Sequence, residues 1–444
     1  MFADDIDRSR FPLTTRIWGI LLGSLILAMI VAGLISPRTF PFTAPFVLLG
    51  FAASAYVTGI SLTFRKSAHY GTLTVAAFLV FALLSASWAE RPLAALTPVL
   101  MATVCCVACG FMVRVILKET RPNIVHIAEG VWIGLLVGLI YLLIEVLSQQ
   151  AIKLTLYNAL GVRPGVLRPP AFFTWTGERL VAISPDDLTR NMAVIAPLLW
   201  MALLSMRGAA PRSFSLVAGG LLFALAAAAV FLSEHETSKF ALAGGTAAFL
   251  LARRSPMWGH RVLRLSWVVA CLAIIPISLL LHRFNLHNTP WVQQTAQHRI
   301  IIWNHTAEQA LASPIFGRGA GTMYQMLDPE PLRKADEAWT PRVPHAHNIY
   351  LQTWLELGAV GAALLTLIGL AVLERIRGLG RHVAPYAQAT FASTSLVAAS
   401  SYGMWQTWFM VMFALIAVAA AIGVRANVRA KLIPGSGPVW VPSV

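Results

Sequence analysis

Two basic residues, Arg299 and His347, stand where side chains could act on an anionic group at a membrane edge. Arginine can grip phosphate oxygens through a planar fork of N–H donors, and histidine changes protonation state near neutral pH. Arg299 lies in an amphipathic stretch, and His347 directly precedes a long apolar segment. This pair is suited to stabilising negative charge on a leaving group and to handling the proton of an attacking hydroxyl.

Other basic residues lie near the predicted outer ends of helices and extend this candidate site. Arg190, Lys239 and Arg283 occupy such positions. Arg163 and Arg168 lie in an outer segment, where they either face an anionic ligand or meet lipid headgroups and water. Both interpretations of Arg163 and Arg168 remain open at the level of sequence.

No metal or other cofactor is predicted. His345 and His347 are closely spaced, but no converging Asp, Glu or Cys completes a three- or four-ligand shell in the sequence. The chain also contains neither a Walker motif nor HExxH. An ATP-driven pump and a zinc protease are therefore disfavoured.

The composition is typical of a chain that crosses a membrane many times. Of its 444 residues, 57% are hydrophobic and 12% are charged, whereas a soluble domain carries about 25% charged residues. A disordered chain would be depleted in apolar side chains, and a disulfide scaffold would be rich in Cys. Basic loops on one side of a membrane explain the net charge of +15, so nucleic acid is not predicted as a partner.

About twelve stretches are long and apolar enough to span a bilayer as helices. They are predicted at 17–36, 43–64, 71–88, 93–113, 124–148, 190–206, 214–232, 238–252, 265–282, 347–373, 386–402 and 405–424. The predicted fold is an all-α, polytopic integral membrane protein with about 12 transmembrane helices and a large outer loop between helices 9 and 10.

Basic residues assign the two faces of the membrane. If both termini are cytoplasmic, every short loop on that side contains Arg or Lys, as the positive-inside rule expects. The predicted organisation is helices 1–9 (1–282) with an outer segment at about 149–189, a large outer loop (283–346), helices 10–12 (347–424) and a cytoplasmic tail (425–444). Both outer segments are long enough to carry function.

The large outer loop is predicted to contain a helix followed by a glycine-rich turn. An apolar stripe at helical spacing comprises Ile300, Trp303, Ala307 and Leu311. The dipeptide 313–314, Ser-Pro, is predicted to close that helix. The glycines at 317, 319 and 321 then give a flexible turn whose amides could approach an anion.

This region resembles the O-antigen ligase family, part of a wider group that includes O-antigen polymerases and some protein O-oligosaccharyltransferases. Three motifs carry the resemblance. They are R-x-x-x-W from Arg299 to Trp303, P-x-x-G-x-G from Pro314, and H-N-x-Y-L-Q-x-x-x-E-x-G-x-x-G from His347.

One position departs from the family pattern. The family usually has a small residue followed by arginine at the outer start of an earlier helix, and this chain has Ser238 followed by Lys239. Lysine keeps the positive charge but lacks the planar fork that binds phosphate in two places.

The resemblance implies transfer of O-antigen polysaccharide from undecaprenyl diphosphate to a sugar hydroxyl of lipid A-core, in lipopolysaccharide biosynthesis. The implied enzyme is a metal-independent glycosyltransferase that inverts the sugar and acts at the periplasmic face of the bacterial inner membrane. The lipid-linked donor, lipid A-core and membrane lipids are the expected partners. Glu356, two turns below His347, either supports the site or makes a structural hydrogen bond.

The resemblance and the residue types together assign candidate roles. Catalysis is predicted for Arg299 and for His347, which acts either as general base or as hydrogen-bond donor to the diphosphate. The predicted diphosphate-binding residues are Arg299, Lys239, Arg190, Arg163, Arg168 and His345. The predicted supporting residues are Trp303, Gly317, Gly319, Asn348 and Glu356.

Three other functions remain as alternatives. An O-antigen polymerase would use the same donor and elongate the polymer, and a protein O-oligosaccharyltransferase would change the acceptor. A lipid-linked oligosaccharide flippase or other transporter belongs to a different class. Transporters often show matched repeats and charge near the bilayer midplane. The candidate charged residues of this chain are instead predicted at the outer face of the membrane.

Overall fold

Helices make up nearly all of the regular structure in the computed structural model, which describes residues 13–60, 70–167, 170–325, 345–400, 402–433 and 436–442. The helices are α1 (Leu13–Ile35), α2 (Phe40–Val57), α3 (Tyr70–Ser85), α4 (Pro92–Lys118), α5 (Arg121–Leu147), α6 (Ala151–Ala159), α7 (Thr189–Ala209), α8 (Arg212–Leu232), α9 (Glu236–Arg254), α10 (Pro256–Leu272), α11 (Ile274–Arg283), α12 (Gln294–Leu311), α13 (Thr322–Gln325), α14 (Ile349–Arg377), α15 (Ala384–Ser400) and α16 (Thr407–Ala426). The protein is an all-α, polytopic membrane protein, as the sequence predicts.

Two short antiparallel strand pairs accompany the helices. Strands β1 (Phe173–Thr176) and β2 (Arg179–Ile183) form a hairpin in the predicted outer segment, and β3 (Val428–Ile433) pairs with β4 (Ser436–Pro442). Gly177, with φ of 61°, lies in the turn between β1 and β2. Glycine adopts that left-handed conformation without steric cost.

Among the described residues, nine helical segments are long and apolar enough to cross a membrane. They are Arg16–Ile35, Pro37–Val57, Tyr70–Trp88, Pro92–Lys118, Arg121–Leu147, Pro185–Ala209, Arg212–Leu232, Ile349–Arg377 and Thr407–Ala426. Helices α10 and α11 meet at a 70° bend and together could form one broken span, which would make ten.

The twelve-span count therefore stays a prediction. The stretches predicted at 238–252 and 386–402 are helical, as α9 and α15, but are not among the nine. Helix α9 carries charged side chains at both ends, and α15 has 17 residues. A helix of that length rises about 26 Å at 1.5 Å per residue, near the lower limit for crossing a hydrocarbon core.

The chain divides into two compact units, of which the first comprises Met1–Thr63, Ala108–Gly245 and Val411–Val444. In this unit α1 and α5 pack through glycines, and a Cβ at Gly134 would lie 3.1 Å from the Cα of Leu27. Small residues let helix backbones approach closely inside a membrane. Asn191 on α7 donates to the carbonyl of Leu34 over 2.7 Å and so ties the start of α7 to the end of α1.

The second unit comprises Phe64–Val107 and Thr246–Met410 and is built around α14. Trp267 on α10 donates to the Thr366 carbonyl over 3.1 Å. Trp354 on α14 donates to the Cys271 carbonyl over 2.7 Å. The motif-bearing residues of the outer loop, as far as they are described, belong to this unit.

Candidate active site

His347 lies in a strained stretch of backbone directly before α14. Its φ is 53°, a left-handed conformation that is uncommon for residues other than glycine. The next residue, Asn348, is the N-cap of α14, and its side chain accepts a hydrogen bond from the Leu351 amide over 3.0 Å. Such strain costs on the order of 1–3 kcal/mol and persists only where the surroundings fix it. The helix start thus holds His347 in one backbone geometry.

Trp303 joins α12 to the segment that carries both histidines. Its indole Nε1 donates to the carbonyl of Ala346 over 3.0 Å, and Ala346 is fully buried. Flanking that residue, the rings of His345 and His347 lie edge to face with centroids 4.1 Å apart. The tryptophan of the R-x-x-x-W motif therefore positions the peptide between the two histidines.

Arg299 lies one turn before Trp303 on the same face of α12, because residues four apart on a helix are neighbours. Its side chain is partly buried. Burial lowers the pKa of the guanidinium, whereas an electrostatic interaction with Tyr402 raises it. An arginine stays protonated under these conditions, so the positive charge is held in a partly desolvated place where it interacts strongly with an anion.

The segment from Tyr402 to Trp405 packs beside His345. A Cβ at Gly403 would lie 2.6 Å from the Cβ of His345, so only glycine fits there without displacement. The Met404 amide donates to the Gln352 side chain over 3.2 Å. Four elements of the second unit consequently meet: α12, the histidine segment, the start of α14 and the segment that precedes α16.

Glu356 is fully buried on α14 and collects hydrogen bonds from several directions. Its carboxylate accepts from the Gly321 amide over 2.8 Å and from the Gln352 side chain over 2.9 Å. It also accepts from the Trp405 indole and from the Met323 amide. Glu356 thus makes structural hydrogen bonds, and its role in supporting the site stays a prediction. Through Gln352 this network reaches the segment against His345.

The glycine-rich turn docks into a break in α14. Gly358 has φ 60° and ψ −160°, which interrupts the helix. The turn replaces the missing helical hydrogen bonds, because the Gly319 amide donates to the Glu356 carbonyl over 2.9 Å and the Ala359 amide donates to the Pro314 carbonyl over 2.8 Å. Unsatisfied backbone groups within a membrane are costly, so the turn stabilises the break.

The amides of this turn make structural contacts in the described chain, and the predicted approach to an anion stays a prediction. The amides of residues 317–321 donate to groups of the second unit, among them the Ala320 amide to Ser85 and the Gly321 amide to Glu356. Gly319, with φ of 97°, also lies against Ala89, whose Cα would be 2.7 Å from an added Cβ. Among the described residues, the one acidic side chain that these amides meet is the buried Glu356.

Arg163, Arg190 and Lys239 lie in the first unit, whereas Arg283 is the last residue of α11 in the second unit. Lys239 donates to Glu236 over 2.7 Å near the start of α9. Arg190, in the first turn of α7, interacts electrostatically with Arg38. Arg163 is exposed in the segment after α6, and Arg168 lies outside the described residues.

Sequence reasoning missed the contribution of the 402–405 segment. Tyr402 acts on Arg299, and Trp405 binds Glu356, although Trp405 lies 49 residues from that partner. The available signal was an aromatic and polar interruption, S-Y-G-M-W-Q, between two predicted spans. Nothing local in that stretch indicates which helix it contacts.

The fold defines an all-α, polytopic membrane protein whose candidate site lies in the second unit. Residues 221–366 match the model of a family described as O-antigen ligase. The matched range contains α12, the glycine turn, His347 and the first half of α14. The resemblance to the O-antigen ligase family is thereby confirmed over those residues, which make up less than half of the chain.

Several curated proteins from Rickettsia are similar to this chain, and their names assign them provisionally as polysaccharide ligases. Proteins of Rickettsia conorii and Rickettsia felis are each 25% identical over 227 residues, which is 50% of this chain and 54% and 55% of theirs. A protein of Rickettsia bellii is 30% identical over 119 residues, 26% of this chain and 29% of its own. The chain thus spans about half the length of the first two relatives.

Proposed function

We propose that this protein is an O-antigen ligase. It moves O-antigen polysaccharide from undecaprenyl diphosphate to a sugar hydroxyl of lipid A-core, at the periplasmic face of the bacterial inner membrane, with both termini in the cytoplasm. The observation that carries the proposal is the contact between α12 and the histidine segment, where Trp303 binds Ala346 within the range that matches the family.

The chemistry requires a cation beside the leaving diphosphate. As the acceptor hydroxyl oxygen bonds to the anomeric carbon, the bond from that carbon to the diphosphate oxygen breaks and its electron pair stays on the diphosphate. Arg299 holds a protonated guanidinium in a partly buried position, which favours the growing negative charge. Stabilisation confined to the transition state raises the rate of transfer.

The acceptor hydroxyl must also lose its proton. In the base role, His347 takes that proton on a ring nitrogen. In the donor role, it gives a hydrogen bond to the diphosphate, and a diphosphate oxygen takes the proton. The left-handed backbone and the Asn348 cap support either role by fixing the position of the histidine. Attack by the hydroxyl in a single displacement would invert the sugar.

Arg190, Lys239, Arg163 and Arg168 remain proposed binding residues for the anionic parts of the donor and acceptor. Arg190 interacts electrostatically with Arg38 in the first unit, where Asp187 already offsets part of the positive charge. Lys239 already pairs with Glu236. We therefore expect loss of Lys239 to affect transfer less than loss of Arg299.

The test is complementation of a strain lacking the gene, with lipopolysaccharide separated on a gel and protein level measured in the membrane. Arg299→Ala and His347→Ala are expected to abolish capping of lipid A-core while lipid-linked polymer accumulates. Arg299→Lys should retain part of the activity, because it keeps the charge and loses the fork. His298→Ala, an exposed neighbour on α12, is the matched control and should cap normally.

Two results would contradict the proposal. Wild-type capping by both alanine variants would show that the site lies elsewhere. Cores that carry a single repeat unit in the deletion strain would indicate an O-antigen polymerase, since polymer elongation would be the missing step. If the deletion strain has normal lipid-linked polymer outside the cytoplasm but does not cap lipid A-core, the missing protein is a ligase and not a flippase.

A further inference from the structure

A second cationic feature lies in the second unit, between α10 and α14. It is an open cavity of about 610 Å³, within the size range of small-molecule sites. Its walls are Met257, His260, Arg261, Arg264, Leu265, Val268, Leu370 and Arg377. The α10 members recur at helical spacing and form a single face of that helix.

One end of the cavity has more positive than negative charge. Arg264 donates to Glu374 over 2.8 Å, and Arg377 donates to the same carboxylate over 2.8 Å. Arg261 instead stacks over the Trp258 ring at 5.1 Å. Two guanidinium groups thus share one carboxylate, and Arg261 adds a third positive charge, which leaves a net positive charge at this end.

His260 adds a buried polar group to the same wall. Only 3% of it is exposed, and its Nε2 lies 3.4 Å from Glu374. Its Nδ1 atom is buried and has no hydrogen-bond partner in the part of the chain that the structure describes. The imidazole thus adds a buried polar group beside the charged end of the cavity.

The other end of the cavity is apolar. Arg261 and Val268 are seven residues apart on α10, as are Leu370 and Arg377 on α14. The charged and apolar walls of the cavity are therefore about 10 Å apart along each helix axis. Leu265 is 68% exposed on a helix of the broken span. The apolar end therefore opens on a surface suited to acyl chains.

We propose that this cavity binds an anionic phospholipid, with the phosphate at Arg261, Arg264 and Arg377 and an acyl chain along Leu265, Val268 and Leu370. These arginines lie at the ends of α10 and α14 that the positive-inside pattern assigns to the cytoplasm, whereas the proposed transfer site is assigned to the periplasmic face. The cavity is therefore a separate lipid site, and its occupant is a component of the inner leaflet.

The combination of walls favours a phospholipid over a soluble anion. A free phosphate or nucleotide would use the arginines but leave the aliphatic wall uncovered. A zwitterionic lipid would cover that wall but bring no net negative charge. Basic residues near a membrane surface attract anionic lipids by about 1 kcal/mol each, and an acyl chain gains from each buried CH₂ group.

The experiment measures lipid binding to the full chain purified in a neutral detergent. Native mass spectrometry gives the affinity for phosphatidylglycerol and for phosphatidylcholine with the same acyl chains. We expect phosphatidylglycerol to bind more tightly. Arg261→Gln should weaken its binding about five- to tenfold, from the loss of one charge-assisted contact, whereas Arg254→Gln, an exposed arginine on α9 outside the cavity wall, should not.

A second pair of variants tests the apolar end without removing charge. Val268→Trp should fill that end and weaken phosphatidylglycerol binding, and Val262→Trp, an exposed position on α10 outside the cavity wall, should leave it unchanged. Melting temperature shows that each variant is folded. If Arg261→Gln does not fold, the comparison of Val268→Trp with Val262→Trp still tests whether the cavity binds the lipid.

Three results would overturn the proposal. Equal binding of the two lipids would remove the charge preference, and equal weakening by Arg254→Gln and Arg261→Gln would indicate diffuse attraction rather than a site. Inorganic phosphate that displaces phosphatidylglycerol, together with no effect of Val268→Trp, would show a soluble-anion site.

Discussion

At the scale of single residues, the candidate site depends on hydrogen bonds to the residues that flank His347. Trp303 holds the Ala346 carbonyl, and the Asn348 side chain caps α14 on the other side of His347. Neither contact requires substrate. The histidine is therefore positioned before the donor binds, which lowers the cost of reaching the reactive geometry.

Trp303→Phe tests this positioning. The substitution keeps an aromatic ring but leaves the buried Ala346 carbonyl without its indole donor, at a cost of about 1–3 kcal/mol. We expect lipid A-core capping to fall about tenfold if most of that cost appears in the transition state. Trp291→Phe is the matched control, because Trp291 is 77% exposed. Equal activity of the two variants would show that the indole hydrogen bond does not position the site.

Glu356→Gln tests the buried carboxylate. Each of its oxygens accepts from N–H donors of the glycine turn, α14 or Trp405. An amide would place an N–H₂ group against some of these donors, so we expect the free energy of unfolding to fall by about 2 kcal/mol. Thermal melting of purified protein measures the loss, and Glu308→Gln, an exposed glutamate on α12, serves as control. An unchanged melting temperature would mean that the network does not stabilise the fold.

At the scale of elements, the break in α14 and the glycine turn form one structure. All three glycines of the turn and Gly358 have positive φ, and the backbones at Gly317 and Gly358 approach each other's elements more closely than a Cβ would allow. Backbone contact thus explains the P-x-x-G-x-G motif and the glycine at 358 in the third motif. Only the histidine start of the third motif, together with the arginine helix, faces the proposed chemistry.

The sequence predicts part of this arrangement. The apolar stripe predicts helix α12, which ends at Leu311, two residues before the serine of the Ser-Pro signal at 313–314. Of that stripe Ile300 and Ala307 are buried, whereas Leu311 is 51% exposed, because it lies at the last residue of the helix. Periodicity is a local property, so it identifies helices and their faces.

The break and its partners could not be predicted in the same way. The stretch 347–373 reads as a continuous apolar span, and an isolated glycine such as Gly358 is compatible with a helix. The interruption at Gly358 is matched by backbone contacts with the turn at 314–319, about 40 residues earlier, and Trp405, beyond the next helix, binds the nearby side chain of Glu356. Such contacts follow from tertiary packing, which no local pattern encodes.

Gly358→Ala tests whether the break is required. An added Cβ would overlap the Ile315 backbone, and the residue would have to keep a positive φ. We expect the melting temperature and the capping activity to fall together, because the turn can no longer dock. Gly220→Ala, an exposed helical glycine with nothing within 4 Å of its Cβ, should be neutral or slightly stabilising. Normal melting of Gly358→Ala would show that α14 tolerates a continuous helix.

At the scale of the whole molecule, each unit should present its candidate cations on the outer face. In the first unit α7 separates Arg190 from Arg207 along one span. In the second unit the candidate site precedes α14, and the arginines of the lipid cavity lie at its far end. The positive-inside pattern predicts that Arg207 and Arg377 are cytoplasmic.

Cysteine labelling tests that orientation. In a background where Cys105, Cys106, Cys109 and Cys271 are replaced by alanine, single changes are made at exposed positions on either predicted face. Glu178→Cys in the first unit and Glu308→Cys in the second should react with a membrane-impermeant maleimide in intact spheroplasts. Arg207→Cys and Arg254→Cys, their respective counterparts, should react only after permeabilisation. Reversed labelling in either unit would place its cations on the cytoplasmic side, where a periplasmic transfer reaction could not use them.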